Sequence, residues 1–198
     1  MPLAAVTTPT DLGRRSNAPF EQLARKTHKQ AYGLAYRLTG NAAEAEDLVQ
    51  ETIVRAYRFF PRYDPTLPFT SWLYRIMTNA HVDGVRRRSR IKTTSLDQAG
   101  ADGQTAWELP DRQPTPDRAM MNMALDEPVQ NALVSMTPEF RTAVLLADIE
   151  GMAYEEIAEV MQTSVGTVRS RIHRGRRQLR VHLMRHNPNT FRSAIDEL

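Results

Sequence analysis

Apolar residues recur at three- and four-residue steps through most of this chain, the spacing that gives a helix one buried face. Phe20, Leu23, Ala24, Thr27, Ala31, Leu34, Ala35 and Leu38 define a first helix. Gly40 predicts its C-terminal stop, and Asn41 with Glu44 predicts the start of a second helix in a capping box that lacks the usual Ser or Thr. Leu48, Thr52, Ile53, Ala56, Tyr57 and Phe60 continue the period up to Pro61. The stretch PRYDPTLPF, Pro61 to Phe69, has three prolines and is expected to be an ordered loop. A third helix should carry Trp72, Leu73, Ile76, Met77 and Ala80 and run into RRRSRIK.

The period is lost from Thr93 to Asp117, where Gly, Pro, Gln, Thr and acidic residues predict a flexible linker. Helical patterning resumes near Arg118, breaks at Pro128 and restarts at Pro138 behind Thr137, an N-cap, until Gly151 ends it. Tyr154 to Met161 predicts a short helix with Ile157, Ala158 and Met161 inward. A turn at Gln162 to Ser164 and a longer helix follow, the helix-turn-helix order in which the second helix enters a major groove. The expected fold is all-α: two small helical domains joined by a flexible linker, the second a helix-turn-helix domain. The boundaries are a lead-in over 1–18, a first domain over 19–92, the linker over 93–117, a second domain over 118–185 and a tail over 186–198.

Charge adds function to this outline. The chain of 198 residues has a formal net charge of only +3, yet eight arginines and no Asp or Glu lie between Val160 and Ile195. Val165, Val168, Ile172 and Leu179 can pack on a domain while Arg169, Ser170, His173, Arg174, Arg176, Arg177 and Arg180 stay exposed. Such a helix suits DNA, because each phosphate neutralised releases counterions and a placed arginine can bond a guanine edge. Ser164 is a good N-cap, leaving free N–H groups near a phosphate.

The chain has no cysteine, which excludes disulfides and thiolate zinc sites, and no apolar run approaches a membrane span. The N-terminus lacks a signal-peptide pattern, so the expected setting is the cytoplasm. His28, His81, His173, His182 and His186 are scattered without partners at ligand spacing, and no phosphate loop, nucleophile motif or carboxylate pair is present. Neither a metal, a cofactor nor an enzyme is expected.

Three stretches resemble a known family: AEDLVQETIVRAYRFF (Ala45 to Phe60), FTSWLYRIMTNAHVDGVRRR (Phe69 to Arg88) and YEEIAEVMQTSVGTVRSRIHRGRRQL (Tyr154 to Leu179). In this order, around an acidic linker, they are similar to the group four, extracytoplasmic-function (ECF) sigma factors of bacterial RNA polymerase. The resemblance spans roughly Phe20 to Leu183. It implies an alternative sigma factor that binds polymerase core, directs it to promoters and helps melt the DNA.

Core binding would fall to Asp47, Leu48, Gln50, Glu51, Val54 and Arg55, against the clamp of the β′ subunit, with the β flap as a second contact. The minus-ten element would meet Arg62, Tyr63, Phe69, Trp72, Tyr74, Arg75, Asn79, Asp83, Arg86 and Arg87, with aromatics replacing part of the stacking a flipped base loses. Trp72 can equally serve the core. The minus-thirty-five element would meet Ser164, Thr167, Arg169, Ser170, Arg171, His173, Arg174 and Arg177. The implied partners are polymerase core, promoter DNA and a cognate anti-sigma factor, with the chain a monomer on core and no membrane insertion.

Four positions depart from the family's pattern: Ala153 replaces a capping Ser or Thr, Gln162 a turn Gly or Asp, Gly84 a bulkier residue, and Pro128 interrupts a helix. Two other functions fit parts of the pattern. A free-standing helix-turn-helix regulator would need a dimer interface, and no long heptad pattern is evident. A helical adaptor binding acidic protein or lipid would need a broad apolar face on the basic helix.

Overall fold

The computed structural model describes residues 18–96 and 125–188. They form α1 (Ala18–Thr39), α2 (Ala42–Phe59), a 3-10 turn (Phe60–Arg62), α3 (Phe69–Leu96), α4 (Glu127–Val134), α5 (Pro138–Val144) with a π-helical turn after it (Leu145–Ile149), α6 (Tyr154–Met161) and α7 (Val165–His186). There is no strand among the described residues, and none of their helices is long and apolar enough to cross a membrane. Residues 1–17, 97–124 and 189–198, which hold nearly all of the expected lead-in, most of the linker and most of the tail, lie outside the described residues.

Local chemistry sets the helix ends. Gly40 adopts φ +74°, a left-handed conformation that a side chain resists, and so closes α1. A Cβ there would also lie 2.5 Å from Val134 Cγ2, so the glycine permits close approach of α4. Asn41 caps α2, its Oδ1 accepting from the Glu44 amide at 3.2 Å. The reciprocal half of the capping box is replaced: the Asn41 amide donates to Thr39 Oγ1, and the Glu44 carboxylate sits 3.6 Å from Arg88.

Two expectations are corrected. α3 continues to Leu96, beyond the expected linker start at Thr93, because RRRSRIKTTSL holds no Gly or Pro to stop it. Pro128 does not interrupt a described helix but stands in the first turn of α4 behind Asp126, where its missing N–H costs nothing.

The first unit buries Leu34 and Leu38 of α1, Leu48 and Val49 of α2, and Leu73 and Met77 of α3. The second buries Leu145, Leu146, Ile157, Val160, Val168 and Ile172. These apolar residues form one continuous cluster, because α4 and α5 pack on α1, and α5 and α6 pack on α3. The stripe along α7 includes a member with no side chain. Gly175 is buried, and a Cβ there would meet Val144 Cγ2 at 2.5 Å and the Phe140 carbonyl at 3.1 Å.

Gly175→Ala is therefore expected to destabilise the fold. Overpacking costs about 1–3 kcal/mol and better helix propensity returns about 1 kcal/mol, a net loss of up to about 2 kcal/mol. Thermal unfolding checks this, and Val144→Ala in the same chain should restore part of the loss by removing the nearer methyl.

Candidate nucleic-acid interface

α2 separates its residues by face. Ala45, Leu48, Val49, Thr52 and Ala56 are buried, so Leu48 packs inward rather than standing on the outer surface. Asp47, Gln50 and Glu51 are exposed, and Val54 is 50% exposed beside Tyr57 at 48% and Phe59 at 49%. Glu51 accepts from Arg55 one turn on, at 2.5 Å. The result is an acidic face edged with uncovered apolar surface. The family resemblance points to the acids, whereas the helical spacing places Tyr57, here exposed, in the buried stripe and passes over Phe59.

The proline-rich loop is held by its own polar groups. Asp64 Oδ1 accepts from both the amide and the hydroxyl of Thr66, at 2.9 and 2.7 Å, and these bonds hold its carboxyl below the usual range. Tyr63 donates its hydroxyl to the Leu67 carbonyl at 2.6 Å. Its ring packs on Phe60, Phe69 and Trp72, with centroids 5.7, 5.5 and 5.0 Å away. Phe69 is buried at the base of this cluster, whereas Tyr63 and Trp72 are half-buried and keep an open edge. Trp72 is thus both a packing residue and an accessible ring, while Phe69 supports the others from below. Arg62 is exposed at the start of the loop.

α3 carries Arg75, Asn79, Asp83, Arg86 and Arg87 exposed, while Leu73, Tyr74, Met77, Ala80 and His81 are buried. Tyr74 is 2% exposed, which removes it from the accessible aromatics. Its hydroxyl donates to Glu150 Oε2 at 2.6 Å, and burial together with that carboxylate raises its pKa. Arg86 reaches Glu139 at 3.1 Å. Across a cleft of about 370 Å³, Asn79, Asp83 and Arg86 face Glu139, Gln162 and Arg171.

In the helix-turn-helix, Ala153 leaves α6 without a capping oxygen, but Glu156 reaches back to accept from the Ala153 amide at 2.9 Å. Gln162 takes φ +50°, the left-handed turn where the family has Gly or Asp, at a cost of about 1 kcal/mol. Ser164 caps α7, its Oγ accepting from the Thr167 amide at 3.1 Å. Val168 and Ile172 are buried, Val165, Arg171 and Leu179 are intermediate, and Arg169, Ser170, His173, Arg174 and Arg177 are exposed. Arg174 and Arg177 edge a groove of about 750 Å³ that also holds Phe140, Val181 and His182. Arg176 differs from its neighbours because its guanidinium is engaged by Asp148 through Nε at 3.1 Å and Nη2 at 2.5 Å. No cluster of metal-ligating side chains occurs among the described residues.

Known proteins share these features. The family model for sigma-70 region 2 matches residues 23–91, and that for sigma-70 region 4 matches residues 126–179. ECF RNA polymerase sigma factor SigE of Mycolicibacterium smegmatis is 45% identical over 175 residues, 88% of this chain and 65% of that protein. ECF RNA polymerase sigma factor SigW of Bacillus subtilis is 35% identical over 153 residues, 77% of this chain and 82% of that protein. The fold matches the sigma factor RpoE of Bartonella quintana, solved with the anti-sigma factor NepR, at a TM-score of 0.63 and 23% identity, covering 83% of this chain and 96% of that one. With its two basic helical surfaces and both sigma-70 regions in order, the chain belongs to the ECF RNA polymerase sigma factors.

Proposed function

We propose that this sigma factor grips polymerase and promoter through three separate surfaces. As a member of its family it is an alternative sigma factor that directs RNA polymerase to promoters, and its relatives are transcription factors rather than enzymes. α2 would meet the clamp of the β′ subunit through Asp47, Gln50, Glu51, Val54 and Arg55, and the second unit would meet the β flap. The face of α2 supports this reading: it exposes acids next to uncovered Val54 and Phe59, a combination suited to a basic and apolar partner surface.

The aromatic cluster and α3 would take the separated strand near minus ten. Tyr63 and Trp72 offer rings for stacking, Arg62, Arg75, Arg86 and Arg87 offer cations for phosphate, and Asn79 and Asp83 offer polar groups for base edges. α7 would take the duplex near minus thirty-five. Arg169, Ser170 and His173, in its N-terminal half, would read bases. Arg174 and Arg177, beside the groove, would hold the backbone with Ser164, Thr167 and Arg171. The chain would act in the cytoplasm as a monomer on core, and a cognate anti-sigma factor is a further partner in this proposal.

The test adds purified chain to sigma-free core and a promoter library, scoring open complexes by strand-selective reactivity. Wild type should open a defined promoter set. Glu51→Arg should weaken core association at least tenfold while the same protein keeps its binding to upstream duplex. Duplex binding with no core-dependent opening would instead support a free-standing regulator.

Base and backbone contacts separate by their sequence dependence. Arg169→Ala should cost about 1–3 kcal/mol at particular base pairs and relax preference there, whereas Arg177→Ala should weaken all upstream sequences alike. Binding titrations against a randomised upstream element distinguish the two.

A further inference from the structure

Arg174 and Arg177 belong also to a groove of about 750 Å³ between α7, the turn that joins α4 to α5, and the start of α5. Met136 and Phe140 supply apolar surface on one side of it, and Val181 stands 59% exposed on the other. Arg174, Arg177 and Arg185 line it, no acidic side chain does, and none of the three arginines has an acidic partner among the described residues. At the end nearest Asn187 the rings of His182 and His186 stack with centroids 4.1 Å apart, and His182 Nδ1 lies 3.0 Å from Ser135 Oγ. Uncovered apolar surface among such cations suits an occupant that is apolar on one face and acidic beside it.

The sequence holds such a segment close by. α7 ends at His186, Asn187 caps it with φ −140°, and Pro188 cannot continue the helix, so the chain leaves the axis of α7 where the groove begins. Beyond it, Phe191, Ala194, Ile195 and Leu198 recur at the three- and four-residue steps of an apolar helical stripe, with Asp196 and Glu197 between them. Thr190 is a suitable N-cap for that stripe. Residues 189–198 lie outside the described residues, and this pattern is one of sequence alone.

Reach and charge agree with a return to the groove. From Arg174 to His186, α7 is about 18 Å long at about 1.5 Å per residue. Residues 187–190 can span up to about 13 Å, enough to reverse direction, and a helix over 191–198 would cover about 12 Å of the groove. The reversed segment brings Asp196 and Glu197 over Arg174 and Arg177 and leaves Arg192 at the other end. Tethering makes a weak contact sufficient, because a short link holds the segment at an effective concentration on the order of millimolar.

We propose that residues 191–198 dock in this groove of their own chain, with Phe191, Ile195 and Leu198 against Phe140 and Val181, and so screen Arg174 and Arg177 in the free protein. The screening, though not the docking, rests on the reading that these two arginines hold promoter backbone.

Hydrogen exchange read by mass spectrometry on the full-length chain, without DNA or polymerase, tests the docking. The amides of residues 192–198 should exchange about tenfold more slowly than those of a free peptide of the same sequence, and dilution of the protein should not change the rate. Val181→Asp, at an exposed position, should return them to the free-peptide rate while the amides of α6 keep their protection. Exchange at the free-peptide rate in wild type would overturn the proposal. So would protection that survives Val181→Asp, which would put the segment elsewhere, and protection lost on dilution, which would mean that a second copy fills the groove. Protection that arises only on adding polymerase core would assign the segment to that partner instead.

A second variant changes no described residue and no charge. The triple substitution Phe191→Ser, Ile195→Ser and Leu198→Ser should bind randomised duplex about threefold more tightly than wild type, with a salt slope steeper by about one for each arginine uncovered. Equal binding by the two proteins would overturn the screening. If neither bound duplex, the reading of Arg174 and Arg177 as backbone contacts would itself fall, while the exchange rates would still decide the docking.

Discussion

Replacing Arg141 with methionine is expected to destabilise the chain by about 3–5 kcal/mol, the largest loss from any single substitution considered. Arg141 is only 6% exposed, and its guanidinium supplies donors to the carbonyls of Leu38, Val134 and Met136. Methionine fills similar volume but donates nothing, leaving three acceptors in a dry setting. Burial lowers the arginine's pKa to about 10, which still leaves it charged at neutral pH. Equilibrium unfolding in denaturant checks the prediction. Arg141→Lys should recover only part of the loss, because an ammonium cannot reproduce the planar fork that spans these carbonyls. A loss below 1 kcal/mol in the methionine variant would mean that water satisfies the carbonyls.

Acidification should remove about 3–4 kcal/mol of stability through His81 alone. This imidazole is 4% exposed, its Nε2 has no hydrogen-bond partner among the described residues, and Arg141 and Arg88 oppose its protonation. Burial first and those cations second lower its pKa from 6.5 to about 4. The unfolded chain therefore binds a proton between these values that the folded chain refuses. Stability from this group is complete above pH 6.5, falls as pH drops, and is fully lost below about pH 4. At about 1.4 kcal/mol per pH unit, that window gives the figure stated. Denaturant midpoints measured across it should slope more steeply for wild type than for His81→Gln. Parallel slopes would show that carboxylates, not His81, govern the acid limb.

Much of this structure was legible from side-chain period and punctuation. The α1 stripe, the Gly40 stop, the Asn41 and Ser164 caps and the helix-turn-helix each depend on residues within a few positions of one another, so local pattern reports them. What eluded the sequence depends on distant partners or on absence. Gly175 carries no apolar signal although it occupies the middle of the α7 stripe. The family resemblance makes Tyr74 a candidate DNA contact, and nothing local reveals its burial, because the carboxylate that receives its hydroxyl lies 76 residues away.

The family resemblance brings Leu48 into the core-binding set, yet Leu48 belongs to the inner side of α2, as its place in the three- and four-residue stripe indicates. The contact between units had no sequence signature at all. Arg37 pairs with Glu150, and Gln130 and Arg141 donate to carbonyls in the last turn of α1; all four are polar residues of kinds usually found in solvent, and only the fold brings them together.

The fork between Arg176 and Asp148 fixes something other than energy. An exposed ion pair adds little to stability, but two parallel bonds at the mid-length of α7 restrain rotation of that helix about its own axis. With adjacent residues set 100° apart by about 3.6 residues per turn, a modest roll would exchange which arginines point outward together. Asp148 thus acts as an indexing stop: it engages one cation that remains open to solvent and helps set the azimuth at which the others are presented.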